Sequence, residues 1–125
     1  MSSTLNLLQY NHDIITTETL TDLSDRPYVT TYYQSDTSWY RIWSDGWIEQ
    51  GGSGTTGSSS SGATLSYNTA FTTTNYDIVG NPNTNTSDQI CFTSLGTSSC
   101  TAIGRGHGGS AFYNAFSFRW YACGL

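Results

Sequence analysis

The sequence predicts an all-β protein, folded as an antiparallel β-sandwich, and three observations support this fold class. Residues 39–52 alternate aromatic and polar side chains around an Asp-Gly dipeptide, the pair that most favours a tight hairpin turn. Short segments rich in β-branched and aromatic residues recur between clusters of Gly, Ser, Thr and Asn, which is typical of sandwiches and barrels. Residues 112–122 alternate aromatic and other side chains with the period of a strand. At 125 residues, the chain has the length of one domain.

Taken in order, the elements begin after an N-terminal arm. Residues 1–27 show no sustained helical or strand period, so they are expected to lead into the domain and not to form part of it. Strands are expected at residues 28–34, 37–44, 47–50, 63–66, 76–79, 89–93 and 112–122. Loops are expected at residues 51–62, 81–88 and 101–110.

The hairpin and the last strand give the sharpest structural expectations. A two-residue turn at Asp45 and Gly46 would place Ile42 opposite Glu49, and Arg41 opposite Gln50. The last strand has apolar or aromatic side chains on both faces, which predicts that both faces are covered, either inside a sandwich or between subunits. This pattern favours an oligomer.

Composition excludes several classes of function. The net charge is −5, and the only basic residues besides histidine are four arginines, so a nucleic-acid partner is not expected. No apolar run approaches the roughly 20 residues that cross a bilayer, and the N-terminus lacks the pattern of a signal peptide. We therefore expect a soluble protein with no membrane insertion, made in a cytoplasm.

Neither the cysteines nor the glycines indicate a cofactor. Cys91, Cys100 and Cys123 are an odd number without metal-ligand spacing, and a disulfide between the first two is left open. The glycines of residues 52–57 match G-x-G-x-x-G, but a strand is expected next where a dinucleotide site needs a helix. We expect no metal and no cofactor.

Candidate binding residues lie in the loops. Arg105 and His107 stand among four glycines, which allow a ligand close to the backbone while the two side chains supply hydrogen-bond donors. Asn83 and Asn85 have amides suited to sugar hydroxyls, and an exposed Tyr76 would stack on a sugar face. For each of these the alternative is structural: a solvated glycine loop, an Asn/Thr turn, and a tyrosine filling a half-buried strand.

The hairpin also carries charged residues that invite a catalytic interpretation. Arg41, Asp45 and Glu49 lie close together, and paired carboxylates can hydrolyse glycosides. A structural ion pair or a hydrogen-bonded turn accounts for all three, and a fold this compact offers no obvious deep groove for a polymer, so no catalytic residue is predicted. The tryptophans are assigned to the core or to an interface: Trp39, Trp43, Trp47 and Trp120.

The hairpin sequence also resembles a known family. The pattern Trp-Tyr-Arg-x-Trp-Ser-Asp-Gly-Trp-x-Glu-Gln-Gly-Gly at residues 39–52, together with the aromatic end at residues 120–125, resembles the C-terminal tip domain of bacteriophage tail-fibre proteins. The resemblance covers residues 28–125. Residues 64–71 and the closing Trp-x-Ala-x-Gly are similar to strands of the H-type lectins, which are related in fold.

This resemblance implies a homotrimeric, non-enzymatic tip of a tail fibre on the virion, which binds a glycan or another receptor on the bacterial surface. It also implies that residues 1–27 are the end of a trimeric shaft, and that His107 lies where H-type lectins bind sugar at a subunit interface. Two alternatives stay open: a structural trimerisation cap without receptor contact, and a small polysaccharide-cleaving enzyme.

Overall fold

The described part of the chain consists of two antiparallel sheets. The computed structural model describes residues 26–83, 88–106 and 113–125. The strands in chain order are β1 (Val29–Gln34), β2 (Ser38–Trp43), β3 (Ile48–Thr55), β4 (Ala63–Ser66), β5 (Tyr76–Pro82), β6 (Gln89–Thr93), β7 (Ser99–Arg105) and β8 (Ser117–Gly124). One sheet has the order β1-β2-β3-β8-β5 and the other the order β4-β7-β6. The predicted all-β, antiparallel class is confirmed. No helix long and apolar enough to cross a membrane occurs in these three segments.

The core lies between the two sheets. Phe118 and Trp120 of β8 belong to the same buried cluster as Leu65 of β4 and Ala102 of β7. Phe118 is fully buried, and its ring meets that of Phe92 in β6 edge to face, with centroids 5.8 Å apart. The alternation of each strand therefore gives each sheet one inner face.

The tryptophan-rich hairpin turns through three residues, where two were predicted. The N–H of Trp43 donates to the carbonyl of Trp47 at 2.8 Å, and the N–H of Gly46 donates to the carbonyl of Trp43 at 2.9 Å. Gly46 has a φ of 91°, the left-handed conformation that closes a three-residue hairpin loop. Asp45 accepts the N–H of Trp47 through Oδ1 at 3.0 Å, which satisfies a donor inside the turn.

The extra loop residue changes every pair in the hairpin. Ile42 lies opposite Ile48, and Arg41 lies opposite Glu49. The predicted pairing of Ile42 with Glu49, and of Arg41 with Gln50, is therefore wrong by one residue. Because strand side chains alternate, this register places the two isoleucines together on the inner face and the two charged residues together on the outer face.

Parts of two segments that were predicted as loops, residues 51–62 and 101–110, belong to strands. β3 continues through the glycine-rich segment as far as Thr55, and the element that follows it is the strand β4. β7 is the central strand of the smaller sheet and buries Cys100, Ala102 and Gly104 alternately. Both segments were missed for the same reason: their inward positions carry small residues, so the hydrophobic alternation is weak.

The last strand is central but covered on one face only. β8 lies between β3 and β5 and begins at Ser117, later than predicted. Trp120 is buried on the inner face, whereas Arg119 and Tyr121 are exposed on the other. The sandwich of a single chain therefore covers one face of β8, and coverage of the other face by a second subunit stays a prediction.

The polar groups of the core are paired. Gln50 is completely buried; its amide donates to the carbonyl of Thr69 at 2.8 Å and accepts the N–H of the same residue at 3.0 Å. Within residues 26–83, 88–106 and 113–125, no buried side-chain N or O atom lacks a partner.

Cys91, Cys100 and Cys123 are free thiols, so the disulfide left open by the sequence does not form.

Candidate functional site

The outer face of the five-stranded sheet is open and rich in aromatic and charged side chains. Trp39 lies opposite Gly51, which in turn lies opposite Tyr121 on β8. In the next row of the same face, Arg41 lies opposite Glu49. Strand order thus brings together residues that are up to 82 positions apart in sequence.

Gly51 lets two aromatic rings approach each other over the sheet. A Cβ at this position would lie 2.8 Å from Nε1 of Trp39 and 2.5 Å from the backbone carbonyl of Trp120, so any side chain would displace the indole. The ring centroids of Trp39 and Tyr121 are 5.8 Å apart. The guanidinium carbon of Arg41 lies 5.8 Å from the centre of the Trp39 ring, within cation–π range.

Two uncharged donors fix the carboxylate of Glu49. Nε1 of Trp43 donates to Oε1 at 2.6 Å, and the hydroxyl of Tyr121 donates to Oε2 at 2.9 Å. Burial raises the pKa of the Tyr121 hydroxyl above its usual value of 10.0, and the negative charge and hydrogen bond of Glu49 raise this pKa further. At neutral pH the phenol therefore stays protonated and keeps donating. The partners of Glu49 are an indole and a phenol, where an ion pair was predicted.

These residues line a cleft of about 520 Å³, within the size range of small-molecule sites. Its walls include Tyr32 and Gln34 of the edge strand β1, Trp39 and Arg41 of β2, and Glu49 and Tyr121. Tyr32 is 74% exposed. The cleft thus combines flat aromatic surfaces with a few convergent polar groups.

Two of the residues predicted from loop composition, Asn83 and Arg105, lie elsewhere, at the end of the sandwich where β8 begins. The N–H of Asn83 donates to the carbonyl of Ser117 at 2.9 Å. Arg105 ends β7, and its guanidinium lies 4.8 Å from the ring centre of Tyr113. Arg105 is thus placed by a strand and an aromatic contact, where a glycine-rich loop was expected.

Further polar groups surround these two residues. The amide of Asn114 donates to Asp88 at 3.0 Å, and the N–H of Asn114 donates to the carbonyl of Gly104 at 3.1 Å. Asn83 and Arg105 therefore share one polar end of the molecule. His107 and Asn85, which were also predicted as candidate binding residues, lie outside the described residues.

Tyr76 does not have the exposed ring that was predicted for it. The side chain is buried and stacks on Phe71, with centroids 4.2 Å apart. Its hydroxyl donates to the carbonyl of Gly96 at 2.7 Å and contacts the hydroxyl of Tyr67 at 2.6 Å. The expectation that this ring is available to a sugar is wrong, because the inner face of β5 packs against the core.

The four tryptophans differ in their surroundings. Trp120 is buried in the core, Trp39 and Trp43 are half-buried on the outer face, and Trp47 is 40% exposed at the hairpin turn.

In the described residues, no group of three or more His, Cys, Asp or Glu side chains could hold a metal ion.

Comparison with known proteins finds similarity in structure. No family model matches the chain, and no curated protein matches its sequence. Among solved structures, an N-truncated R2-type pyocin tail fibre is similar with a TM-score of 0.62 at 17% sequence identity, over 90% of this chain. This is a tail-fibre fold. The chain spans 44% of the length of that R2-type structure.

Two further structures have the same tail-fibre fold. A P. aeruginosa R2 pyocin fibre is similar with a TM-score of 0.61 at 16% identity, over 90% of this chain and 30% of that one. An N-truncated R1-type pyocin tail fibre gives a TM-score of 0.54 at 14% identity, over 89% of this chain and 98% of that one. The predicted resemblance to tail fibres is confirmed at the level of fold, whereas the looser similarity to H-type lectins stays a prediction.

Proposed function

We propose that the chain is the receptor-binding tip of a phage-type tail fibre, which attaches the virion to a bacterial surface by binding a glycan without catalysis. The observation that carries this proposal is the tail-fibre fold, which extends over 90% of the chain. The matched structures are described as pyocin tail fibres, and attachment of a particle to a cell is the role that such a fibre end would serve.

The two ends of the sandwich differ in a way that fits a tip. At the hairpin end, three large side chains are exposed: Tyr28, Trp47 and Leu125. Tyr28 lies beside the turn, because its carbonyl accepts the N–H of Ser44 at 2.7 Å. The chain enters the domain here, after residues 1–27. The polar end with Asn83 and Arg105 is at the other end of β8, about 25 Å away at the rise of an eight-residue strand.

The difference between the apolar end and the polar end supports a homotrimer whose chains meet at the apolar end. Residues 1–27 would form the arm or shaft end that holds three copies in register, and the exposed Tyr28 and Trp47 would pack between them. Three copies on one axis raise avidity by about 10² to 10⁴ without any new contact at a single site. Weak individual sites for a neutral glycan would then suffice for attachment.

Attachment is tested by measuring the binding of the fluorescently labelled protein to a panel of bacterial strains, with and without their surface polysaccharide. Saturable binding to some strains, lost when the polysaccharide is stripped, is the expected result. A protein shown to be trimeric that binds no strain would instead support the alternative function, a structural trimerisation cap.

The polar end is tested with the double variant Arg105→Ala, His107→Ala. We expect attachment to fall while trimer assembly is retained. Arg119→Ala removes an exposed arginine from the outer sheet face and is the matched control, for which attachment should stay at the wild-type level. Unchanged attachment in the double variant would remove the polar end from the proposal.

A further inference from the structure

We infer that the outer-face cleft is a carbohydrate subsite that takes one neutral pyranose ring of the surface glycan, separate from the polar end of the sandwich. This inference rests on the proposed function and assigns a ligand to a surface that loop composition did not indicate. The aromatic platform, the unused donors and the charge balance of the cleft support it.

The platform is formed by Trp39 and Tyr121. Their rings lie 5.8 Å apart and are inclined at 39°, which leaves a shallow aromatic surface above Gly51. One face of many pyranose rings carries mainly C–H groups, which pack well on an aromatic surface. Because Glu49 fixes the Tyr121 hydroxyl at 2.9 Å, this ring is held in place before any ligand arrives.

Hydrogen-bonding groups converge at the edge of the platform. In the described part of the chain the guanidinium of Arg41 makes no hydrogen bond and no ion pair; its recorded contact is with the Trp39 ring. Its five N–H donors therefore stay available for ligand hydroxyls. Glu49 uses one lone pair on each oxygen for Trp43 and Tyr121, which leaves further acceptor capacity on both.

The charge of the cleft favours a neutral sugar over a protein partner. Arg41 and Glu49 carry opposite charges on opposed strand positions, so they cancel and neither a polyanion nor a polycation is selected. The core of a protein interface is depleted in charged residues, whereas here both charges lie within the cleft. The open volume of about 520 Å³ also suits a sugar ring with its substituents.

The subsite is tested with Arg41→Ala and Tyr32→Ala, both of which alter exposed side chains in the cleft. The ligands are the surface polysaccharide purified from a strain that the wild-type protein binds, and the methyl pyranosides of its neutral constituent sugars. Binding is followed by tryptophan fluorescence, because Trp39 lies in the cleft. We expect each substitution to weaken binding about tenfold or more, the usual effect of removing a hydrogen bond from a charged group or a contacting ring.

Two controls separate loss of binding from loss of structure. Arg119→Ala removes an arginine from the same sheet face outside the cleft, and Val79→Ala removes an exposed apolar side chain of β5 that also lies outside the cleft. Both should bind the polysaccharide as the wild type does. Thermal unfolding and sedimentation velocity of all four variants should match those of the wild type.

The outcomes distinguish this inference from the proposed function. Wild-type binding to cells together with unchanged binding by Arg41→Ala and Tyr32→Ala would contradict the cleft subsite alone. A change of oligomeric state in these two variants, absent from the controls, would identify the face as a subunit contact and also overturn the subsite. Wild-type protein that binds neither cells nor pyranosides would contradict both proposals.

Discussion

The two faces of the five-stranded sheet use the same kinds of residue for different purposes. On the inner face, Phe118 is 0% exposed and Trp120 is 6% exposed. On the outer face, Tyr121 is 37% exposed and Tyr32 is 74% exposed. Aromatic content therefore does not separate the core of this protein from its surface; position in the strand alternation does.

The polar partners of the two faces show what the difference means. Gln50, on the inner face, uses its amide twice on the backbone of Thr69, so its hydrogen bonds are closed within the chain. Glu49, its neighbour on the outer face, fixes Trp43 and Tyr121 and keeps acceptor capacity open to solvent. An acceptor that stays open to solvent among fixed aromatic rings is available to a ligand.

The largest difference in stability between the two faces is expected from a substitution of Phe118. Phe118→Ala empties the centre of the core, so the free energy of unfolding should fall by about 3–5 kcal/mol in chemical denaturation. Val79→Ala is the matched outer-face control, because Val79 is 62% exposed on β5 of the same sheet; its effect should stay below about 0.5 kcal/mol. Similar losses in the two variants would mean that the outer face is buried in solution.

The sequence was sufficient for the fold class and for most strands, because aromatic alternation and turn residues are local signals. β4 and β6 were predicted with their observed bounds. The predicted hairpin register was wrong by one residue because Asp-Gly occurs in both two-residue and three-residue turns. Which turn forms depends on which side chains must face the core, and this is not a local property of the hairpin sequence. β7 was missed because Cys100, Ala102 and Gly104 are small.

The outer-face cleft was not predictable from local patterns. Glu49 and Tyr121 are 72 positions apart, and they meet only because β3 pairs with β8. The sequence did show that Tyr121 alternates with Trp120, so one of the two rings faces outward. It did not show that Glu49 and Trp39 would contact the outward ring. Asn83 and Arg105 were predicted separately as candidate binding residues, and their binding of a ligand stays a prediction.

A second, intermediate effect is expected from alkaline pH; three groups of the core should contribute to it, together with Tyr121 on the outer face, whose pKa is raised as well. Tyr67 and Tyr76 share a hydrogen bond of 2.6 Å beside the buried Cys100. Burial is the main cause that raises the pKa of all three groups above their usual values of 10.0 for tyrosine and 9.0 for cysteine. The folded protein therefore keeps protons that the unfolded chain loses.

The stability contributed by these groups is complete below about pH 9, and the free energy of unfolding should fall as the pH rises beyond 9 to 10. One group contributes a slope of at most about 1.4 kcal/mol per pH unit. Tyr67→Phe should make this fall less steep, while Tyr32→Phe, on the outer face, should leave it as in the wild type. Denaturation midpoints between pH 7 and pH 11 provide the measurement, and equal slopes in the two variants would contradict the assignment.

The smallest effect is expected from Glu49→Gln on the outer face. The amide keeps one oxygen acceptor but loses the charge that strengthens the bonds from Trp43 and Tyr121, so the free energy of unfolding should fall by no more than about 1 kcal/mol. The same variant tests the alternative that the chain is an enzyme. Because the carboxylate of Glu49 accepts hydrogen bonds from an indole and a phenol, we expect it to hold these two side chains in place and not to catalyse a reaction. Neither the wild type nor the variant should release reducing ends from the bound polysaccharide. Release by the wild type that the variant abolishes would show that the outer face performs chemistry, and a tip that only binds would then be the wrong description.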